Sequence, residues 1–300
     1  MKKVISVSLG SSSRDHKGIL QLSNEKIEMS REGVDGDAKL CKKRFEELDG
    51  SVDCFGAGGF MFAFHIGDKV YRVKQADRLI SGIKKTPIVD GTGIKKTIER
   101  NSMQESYDQI KDIFDDEPKT AFMSTAVDRW EMACSLADVG LDITCGDFML
   151  GLGLPIAVKG LDKVPFLASI ILPFVRRMPM SWIYPTGSSQ DVRKPKYKKF
   201  YERATVIAGD YLYTKKYAPD NLDNKIILTN TTTAEDIDNL KDRGVAAVIT
   251  TTPRVQGRSF GTNVLEAAVT AYSGLNRELN HEEMKKYVDD LGLKAQVQRF

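Results

Sequence analysis

The sequence predicts an α/β protein with two Rossmann-like lobes, mostly parallel sheets and some antiparallel hairpin structure in the N-terminal lobe. Short segments rich in β-forming residues alternate with helical ones along the chain, which is the pattern of layered α/β folds. The 300 residues correspond to about two domains of ~150 residues each. Hydrophobic residues make up 41% of the chain, which is enough to fill sizeable cores.

The N-terminal lobe is predicted to span residues 1–118. Periodicity and turn residues predict strands at 4–9, 26–31, 52–55 and 86–89, and a hairpin over 60–73 that turns at Gly67 and Asp68. Helices are expected at 36–48, 75–85 and 94–113. The first of these is expected to turn Leu40, Phe45 and Leu48 toward the core.

The C-terminal lobe is predicted to span residues 119–300. It opens with a strand, a helix and a strand at 121–126, 128–139 and 141–145, a βαβ unit that implies parallel pairing. Further strands are expected at 204–208, 225–229 and 246–250, and further helices at 234–244, 263–273 and 281–291. Thr233 and Asp236 are spaced to cap the first of these three helices.

A segment rich in proline and glycine at about 151–200 is interpreted as a connection between the lobes. Its apolar stretch at 164–175 contains two prolines and falls short of the ~20 residues that cross a bilayer. We therefore expect a buried or partner-facing segment there and no integral membrane span.

Composition narrows the class of function. Lysine and arginine number 44 against 41 acidic residues, a balance that argues against a dedicated nucleic-acid binder. The four cysteines are widely separated and only three histidines occur, which predicts reduced thiols and no metal site. The start of the chain does not match a signal peptide, so we expect a cytoplasmic protein. We expect its partner to be a small-molecule substrate, and a homo-oligomer is left open.

A glycine-bearing segment between the strand 246–250 and the helix 263–273 is the strongest candidate for cofactor binding. Glycines permit close backbone approach, the start of a helix favours anions, and an arginine can clamp phosphate or carboxylate. The residues predicted to hold the pyrophosphate or a substrate anion are Gly257, Arg258, Ser259, Gly261, Thr262 and Asn263. An ordinary loop with Thr262 or Asn263 as helix cap explains the segment equally well.

A proton-transfer set is predicted from Lys85, Asp90 and Lys95. Asp90 ends a predicted strand and is followed by Gly-Thr-Gly and by lysines in the first turn of a helix. Because a cation is unfavourable at a helix N-terminus, a negative partner such as Asp90 is expected nearby. Such a Lys–Asp pair suits proton transfer at a hydroxyl, and solvated lysines are the alternative.

Further residues are predicted to contact the substrate. Hydroxyls and exposed backbone amides after the first strand, and acidic residues at carboxyl strand ends, are typical of ligand sites in parallel sheets. A loop at 184–190 offers several hydrogen-bonding groups and could cover the site. The predicted substrate-binding residues are Ser11, Ser12, Asp128, Thr186 and Asp210.

Five segments together resemble a bacterial family commonly labelled quinate 5-dehydrogenase, related by name to quinate/shikimate dehydrogenases. They are 4–15, 86–93, 184–187, 208–211 and 257–263, and the similarity extends over nearly the whole chain. The resemblance implies NAD(P)-dependent oxidation of a cyclic polyol acid, a Rossmann domain and a separate substrate domain. The chain departs from shikimate dehydrogenases in lacking their Asn-Val-Thr-x-Pro-x-Lys segment and their glycine-rich dinucleotide turn.

Two functions follow as expectations. The first is an oxidoreductase that uses NAD or NADP and acts on a small hydroxylated anionic substrate. The alternative is a non-redox α/β protein that binds an acyl, lipid or phosphorylated ligand. The absent Gly-x-Gly-x-x-Gly fingerprint favours the alternative, in which the apolar stretch 164–183 would line an acyl pocket.

Overall fold

The computed structural model describes residues 1–178 and 193–300. The predicted fold class is confirmed, because helices cover two mostly parallel sheets, one of five strands and one of seven. The division of the chain at residue 118 stays a prediction. No helix in the described ranges has both the length and the apolar character needed to cross a membrane.

The first sheet is formed by strands between residues 2 and 89. They are β1 (Lys2–Ser8), β2 (His16–Leu22), β3 (Glu25–Gly33), β4 (Cys54–Gly58) and, later in the chain, β7 (Ile88–Val89). Their order is β2-β3-β1-β4-β7, and all pair in parallel except β2, which runs antiparallel to β3. Sequence analysis did not predict β2. Its Leu20 and Leu22 are buried and alternate with exposed residues, as in a strand with one face on the core.

The predicted hairpin is confirmed as β5 (Ala63–Ile66) paired with β6 (Lys69–Arg72). The helices that accompany this lobe are α1 (Ala38–Leu48) and α2 (Lys74–Ile80). Asp37 caps α1 by accepting hydrogen bonds from the backbone of Lys39 and Leu40. The predicted core face of α1 is only partly correct, because Phe45 is buried whereas Leu40 is exposed.

The predicted helix 94–113 is broken in the structure. A helical segment begins with α3 (Thr92–Ile94), continues through a π-helical turn (Lys95–Glu99) and ends with α4 (Arg100–Ser106). After a short irregular stretch, α5 (Ile113–Asp116) follows. Single π-turns occur frequently at functional sites because they re-aim side chains inward. Here the π turn carries Lys95 and Glu99, which both reach the candidate site described below.

The second sheet has the order β10-β9-β8-β11-β12-β13-β16. Its strands are β8 (Thr120–Met123), β9 (Asp142–Cys145), β10 (Val158–Lys159), β11 (Val206–Ala208), β12 (Ile226–Thr229), β13 (Ala247–Thr250) and β16 (Gln296–Arg299). The predicted βαβ unit is present, with α6 (Trp130–Asp138) between parallel β8 and β9. Only the edge strands β10 and β16 pair in the antiparallel sense. The strand order reverses between β8 and β11, which makes that point a topological switch.

The remaining described helices are α7 (Val164–Val175), α8 (Lys198–Arg203), α9 (Tyr211–Tyr217), α10 (Ala234–Asp242), α11 (Thr262–Ser273) and α12 (His281–Asp290). The predicted capping box of α10 forms between Thr233 and Asp236. A small hairpin of β14 (Arg254–Val255) and β15 (Arg258–Ser259) lies between β13 and α11.

Two helices from the second half of the chain pack against the first lobe. α11 lies on β1 and β4, and α7 buries Ala168, Leu172 and Val175 in the core around β5. The chain then returns to the second sheet through β16. The two lobes therefore share packing surfaces, and the space between them is bounded by elements from both.

Candidate functional site

A cleft of about 150 Å³ lies between the two lobes. Its walls include Ser8 at the end of β1, Gly58 at the end of β4, Asp210 after β11 and Asn230 after β12. These positions are the carboxyl ends of parallel strands, and Asp210 follows β11, one of the two strands at the switch point. Open α/β sheets bind ligands at such places because several loops diverge there and leave a crevice.

One wall of the cleft is cationic. Arg14 comes from a short 3-10 turn (Ser12–Arg14), Arg31 from β3 and Arg258 from β15. Arg31 donates to the carboxylate of Asp15 at 2.7 Å and to the Ser8 hydroxyl at 3.0 Å. Arg14 donates to one carbonyl oxygen at 3.3 Å, and the Arg258 guanidinium has no hydrogen-bond partner among residues 1–178 and 193–300. The three guanidinium groups thus retain donors with no partner in the described residues, and all three arginines line the cleft.

The electrostatics of this wall favour an anion. Burial together with the charge of Arg14 lowers the pKa of Arg31 to about 10, and the same two causes lower the pKa of Arg258. Burial and the charge of Arg258 lower the pKa of His16, which lines the same wall. Like charges held together in a partly buried place destabilise one another. A bound carboxylate or phosphate would reduce that repulsion and accept hydrogen bonds from the donors that have no partner.

The opposite side of the cleft carries a lysine–aspartate pair. Lys95 Nζ lies 3.2 Å from Oδ1 of Asp128 and 3.1 Å from its carbonyl oxygen, and both side chains are largely buried. The predicted pairing of Lys95 with Asp90 is therefore wrong. The Asp90 carboxylate accepts hydrogen bonds from the backbone of Phe62 at 2.7 Å and of Thr92 at 3.0 Å. Asp90 lines the cleft and also ties the start of α3 to the first lobe.

Behind this pair lies a buried network around Arg129, which the sequence did not single out. Arg129 donates to Glu99, which is fully buried, and to Asp210 at 3.0 Å, and its Nε lies 3.7 Å from Asp128. Burial disfavours the charged guanidinium, yet the three surrounding carboxylates raise the pKa of Arg129 above its usual range. The network joins the π turn, the start of α6 and the end of β11. It holds Asp128 and Asp210 in place at the base of the cleft.

Close backbone approaches shape the cleft at two glycines. A Cβ on Gly58 would lie 2.5 Å from the Cβ of Ser8, so a side chain there would push β4 and β1 apart. Gly91 has φ +96°, and a Cβ there would lie 2.4 Å from the Thr262 hydroxyl. Glycine is needed at Gly91 for its conformation as well as for space. These contacts bring the start of α11 against the end of the first sheet.

The structure brings many of the predicted residues to the cleft. Those that line it are Asp90, Lys95, Asp128, Asp210, Arg258, Gly261, Thr262 and Asn263. Ser11 and Ser12 lie beside it: the Ser11 carbonyl accepts from Arg31, and Ser12 donates to Asp35. Thr186 lies outside the described residues.

Three predicted residues are placed elsewhere. Lys85 precedes β7 and donates its backbone N–H to Asp49, so it lies at the opposite edge of the sheet from Asp90 and Lys95. Gly257 has φ +80° and forms the turn of the β14–β15 hairpin. The buried Ser259 hydroxyl accepts from the Thr232 backbone. Neither Thr262 nor Asn263 caps α11, because the capping position is Gly261.

The residues that sequence reasoning missed are the arginines Arg14, Arg31 and Arg129. Arg14 follows the serine-rich turn and Arg129 follows Asp128, so each adjoins a segment already identified as polar. Arg31 gave no such signal, because a charged residue in a predicted strand is ordinary at an edge or a surface. In the described part of the chain, no cluster of His, Cys, Asp or Glu suited to a metal ion occurs.

Two protein-family models match the chain. Residues 93–300 match the family described as "Domain of unknown function (DUF8754)". The chain belongs to this family. Residues 3–90 match a second family, described as "Domain of unknown function (DUF8753)", so the two matches meet where β7 ends and α3 begins.

No curated protein matches the chain. A solved structure that resembles it is titled "Crystal structure of sugar ABC transport system, substrate-binding protein from Bordetella parapertussis 12822". The two are 12% identical, with a TM-score of 0.31, and the match covers 91% of this chain and 80% of that one.

Proposed function

We propose that the cleft between the lobes binds a small hydroxylated anion, and that the protein acts on this ligand as an enzyme. The observation that carries the proposal is the convergence of Arg14, Arg31 and Arg258 on one wall, with donors left unused and with mutual repulsion. Guanidinium groups bind carboxylate and phosphate through paired hydrogen bonds, so both anion types fit this wall.

The other side of the cleft suits the hydroxyl groups of such a ligand. Carboxylate oxygens of Asp128 and Asp210 accept hydrogen bonds from hydroxyls, and the Lys95 ammonium can donate to them. In the Lys95–Asp128 pair, a proton released by a substrate hydroxyl has an acceptor next to a cation that stabilises the resulting alkoxide. The proposed chemistry is therefore proton transfer from a substrate hydroxyl group.

The resemblance to the quinate 5-dehydrogenase family would add NAD or NADP, and the described loops do not fit the dinucleotide. The β8–α6 connection (124–129) and the β12–α10 connection (230–233) contain no glycine, and the β7–α3 and β11–α9 connections contain one each, Gly91 and Gly209. In the predicted cofactor segment Gly257 lies in a hairpin, which leaves Gly261 as its single glycine at the start of a helix. A pyrophosphate needs the close backbone approach that glycine permits in a strand-to-helix turn.

Titration calorimetry tests the anion site. We expect quinate, shikimate or inorganic phosphate to bind and the neutral polyol myo-inositol not to bind, and comparing the anions separates carboxylate from phosphate recognition. Arg258→Ala should weaken binding by about 1.5–3 kcal/mol, the range for hydrogen bonds to charged groups. The matched control is Arg78→Ala, since Arg78 is exposed on α2 and outside the cleft. Equal losses in both variants, or no anion binding, would refute the proposal.

Titration with NAD and NADP tests the cofactor separately. Binding of either nucleotide, competed by the anion that binds the wild-type protein, would support the oxidoreductase function. If neither nucleotide binds while the anion does, the anion site is supported and the NAD(P)-dependent oxidoreductase function is refuted.

A further inference from the structure

A second cavity, of about 90 Å³, adjoins the cleft. α7 forms one side of it with Leu167, Ala168 and Ile171, and the segment that follows β9 contributes Phe148 and Leu152. Phe64 of β5 reaches it from the first lobe, and the remaining described lining is also mainly apolar. The function proposed above uses none of these side chains.

The cavity and the cleft are adjacent. Asp128 and Tyr213 line both of them, so the carboxylate that pairs with Lys95 stands at the junction. Burial raises the pKa of Tyr213 well above its usual range, so its hydroxyl stays neutral. At this boundary the surroundings therefore change from polar and charged to apolar.

Polar groups in the cavity are confined to a few positions. Besides Asp128 and Tyr213 they are Thr125 and Asp147. The two carboxylate oxygens of Asp147 accept hydrogen bonds from the backbone N–H groups of Ala126 and Val127. Cavities with a mainly apolar lining accept apolar guests, as a cavity of roughly 150 Å³ accepts benzene. The smaller volume here suits a short aliphatic chain better than an aromatic ring.

We propose that the ligand of the cleft is amphiphilic: its anionic, hydroxylated end binds in the cleft, and a short alkyl or acyl chain attached to it fills the cavity beneath α7. This inference rests on the proposed function, because it assigns the anionic end to the arginine wall. It adds the chemical class of the rest of the ligand. Removing each methylene from water strengthens binding by about fourfold while the cavity has room.

The test is a calorimetric series of straight-chain 3-hydroxycarboxylates with about four to ten carbons. We expect affinity to rise by about fourfold per methylene over the first few additions and then to level off as the cavity fills. Two variants reduce the cavity: Ala168→Leu from α7, and Gly151→Leu, where an added Cβ meets no atom within 4 Å. Each should flatten the series while leaving the affinity of the shortest acid within about twofold.

The matched control is Ser169→Leu, which adds the same side chain to α7 at the neighbouring position, outside the cavity. It should keep the dependence on chain length. If Ala168→Leu unfolds, Gly151→Leu decides the question, because that position has open space.

The outcomes separate this inference from the proposed function. If short acids bind but longer ones gain nothing, or if the gain persists in the reduced-cavity variants, the inference is overturned and the anion site stands. If neither the hydroxy acids nor quinate, shikimate and inorganic phosphate bind, the anion site itself is refuted and the inference falls with it.

Discussion

Arg129 stands at the centre of the buried network beneath the cleft, and replacing it by methionine tests how strongly that network depends on its charge. Methionine keeps most of the side-chain length and removes the cation. Asp128 retains Lys95, and Asp210 is about a quarter exposed, so solvent and neighbours stabilise both carboxylates. The Glu99 carboxylate is fully buried and, in the described chain, keeps only the hydrogen bond from the Thr251 hydroxyl, at 3.3 Å.

The cost of the change therefore falls mainly on Glu99. Removing one partner of a buried ion pair costs about 3–5 kcal/mol, because an uncompensated charge remains. Protonation limits this cost: neutralising an ordinary glutamate at pH 7 takes about 3.7 kcal/mol, from a reference pKa near 4.3 at about 1.36 kcal/mol per pH unit. We expect Arg129→Met to lose about 3–4 kcal/mol of unfolding free energy at pH 7.

The sign of the pH dependence follows from the same protonation. In the variant the folded protein holds a proton on Glu99, whereas an ordinary unfolded glutamate, with a reference pKa near 4.3, is ionised between pH 5 and pH 7. The loss should therefore shrink by about 1.4 kcal/mol for each pH unit below 7, and about 1 kcal/mol should remain at pH 5.

Urea denaturation of the wild type and Arg129→Met at pH 7 and pH 5 measures these quantities. The double variant Arg129→Met with Glu99→Gln is the control, because it removes the unpaired charge and should recover most of the loss at pH 7. A loss below about 1 kcal/mol at pH 7, or a double variant less stable than the single one, would refute the reasoning.

Three further results are expected. Gly58→Ala should lower stability by about 1–3 kcal/mol, because its Cβ would lie 2.5 Å from that of Ser8, whereas Gly151→Ala, which meets no atom within 4 Å, should be nearly neutral in the same urea experiment. Burial raises the pKa of Asp147 to about 6, so its contribution to stability is full below pH 3.8 and is lost as pH rises to about 6. Across that window the unfolding free energy of Asp147→Asn should rise relative to the wild type by up to about 3 kcal/mol. A constant difference between the two proteins would contradict this. Arg258→Ala should leave the unfolding free energy within about 0.5 kcal/mol of the wild type, since that guanidinium has no hydrogen-bond partner in the described chain. A larger loss would show that Arg258 has a structural role.

Local pattern was enough to predict much of the fold. The βαβ unit around α6 and the capping box at Thr233 depend on neighbours within a few residues, and both are present in the structure. The strand β2 was missed because the apolar Ile19 next to Leu20 obscures the alternation of buried and exposed residues in the sequence. The helix 94–113 was predicted as continuous because a π turn leaves no distinct periodicity in sequence.

The candidate site could be predicted only in part. Asp128 and Asp210 were found because a residue at the carboxyl end of a parallel strand has a known position relative to the sheet. Lys85 was misplaced because it lies before a strand and Asp90 after it, and even a two-residue strand separates the two edges of a sheet. The pairing of Lys95 depends on Asp128 in the connection between β8 and α6, and no spacing in the sequence predicts that contact.

The sequence by itself determined the α/β class, most of the helices and strands, and the chemistry available at each strand end, because hydrophobic periodicity, caps and turns act over short distances along the chain. Only the tertiary structure decided that Arg14, Arg31 and Arg258 share one wall, that Arg129 lies beneath Asp128 and Asp210, and that an apolar cavity adjoins the cleft. These groups come from segments far apart in sequence. They meet because α7 and α11 bury their apolar faces against the first lobe, and that packing brings together the carboxyl ends of strands from both sheets.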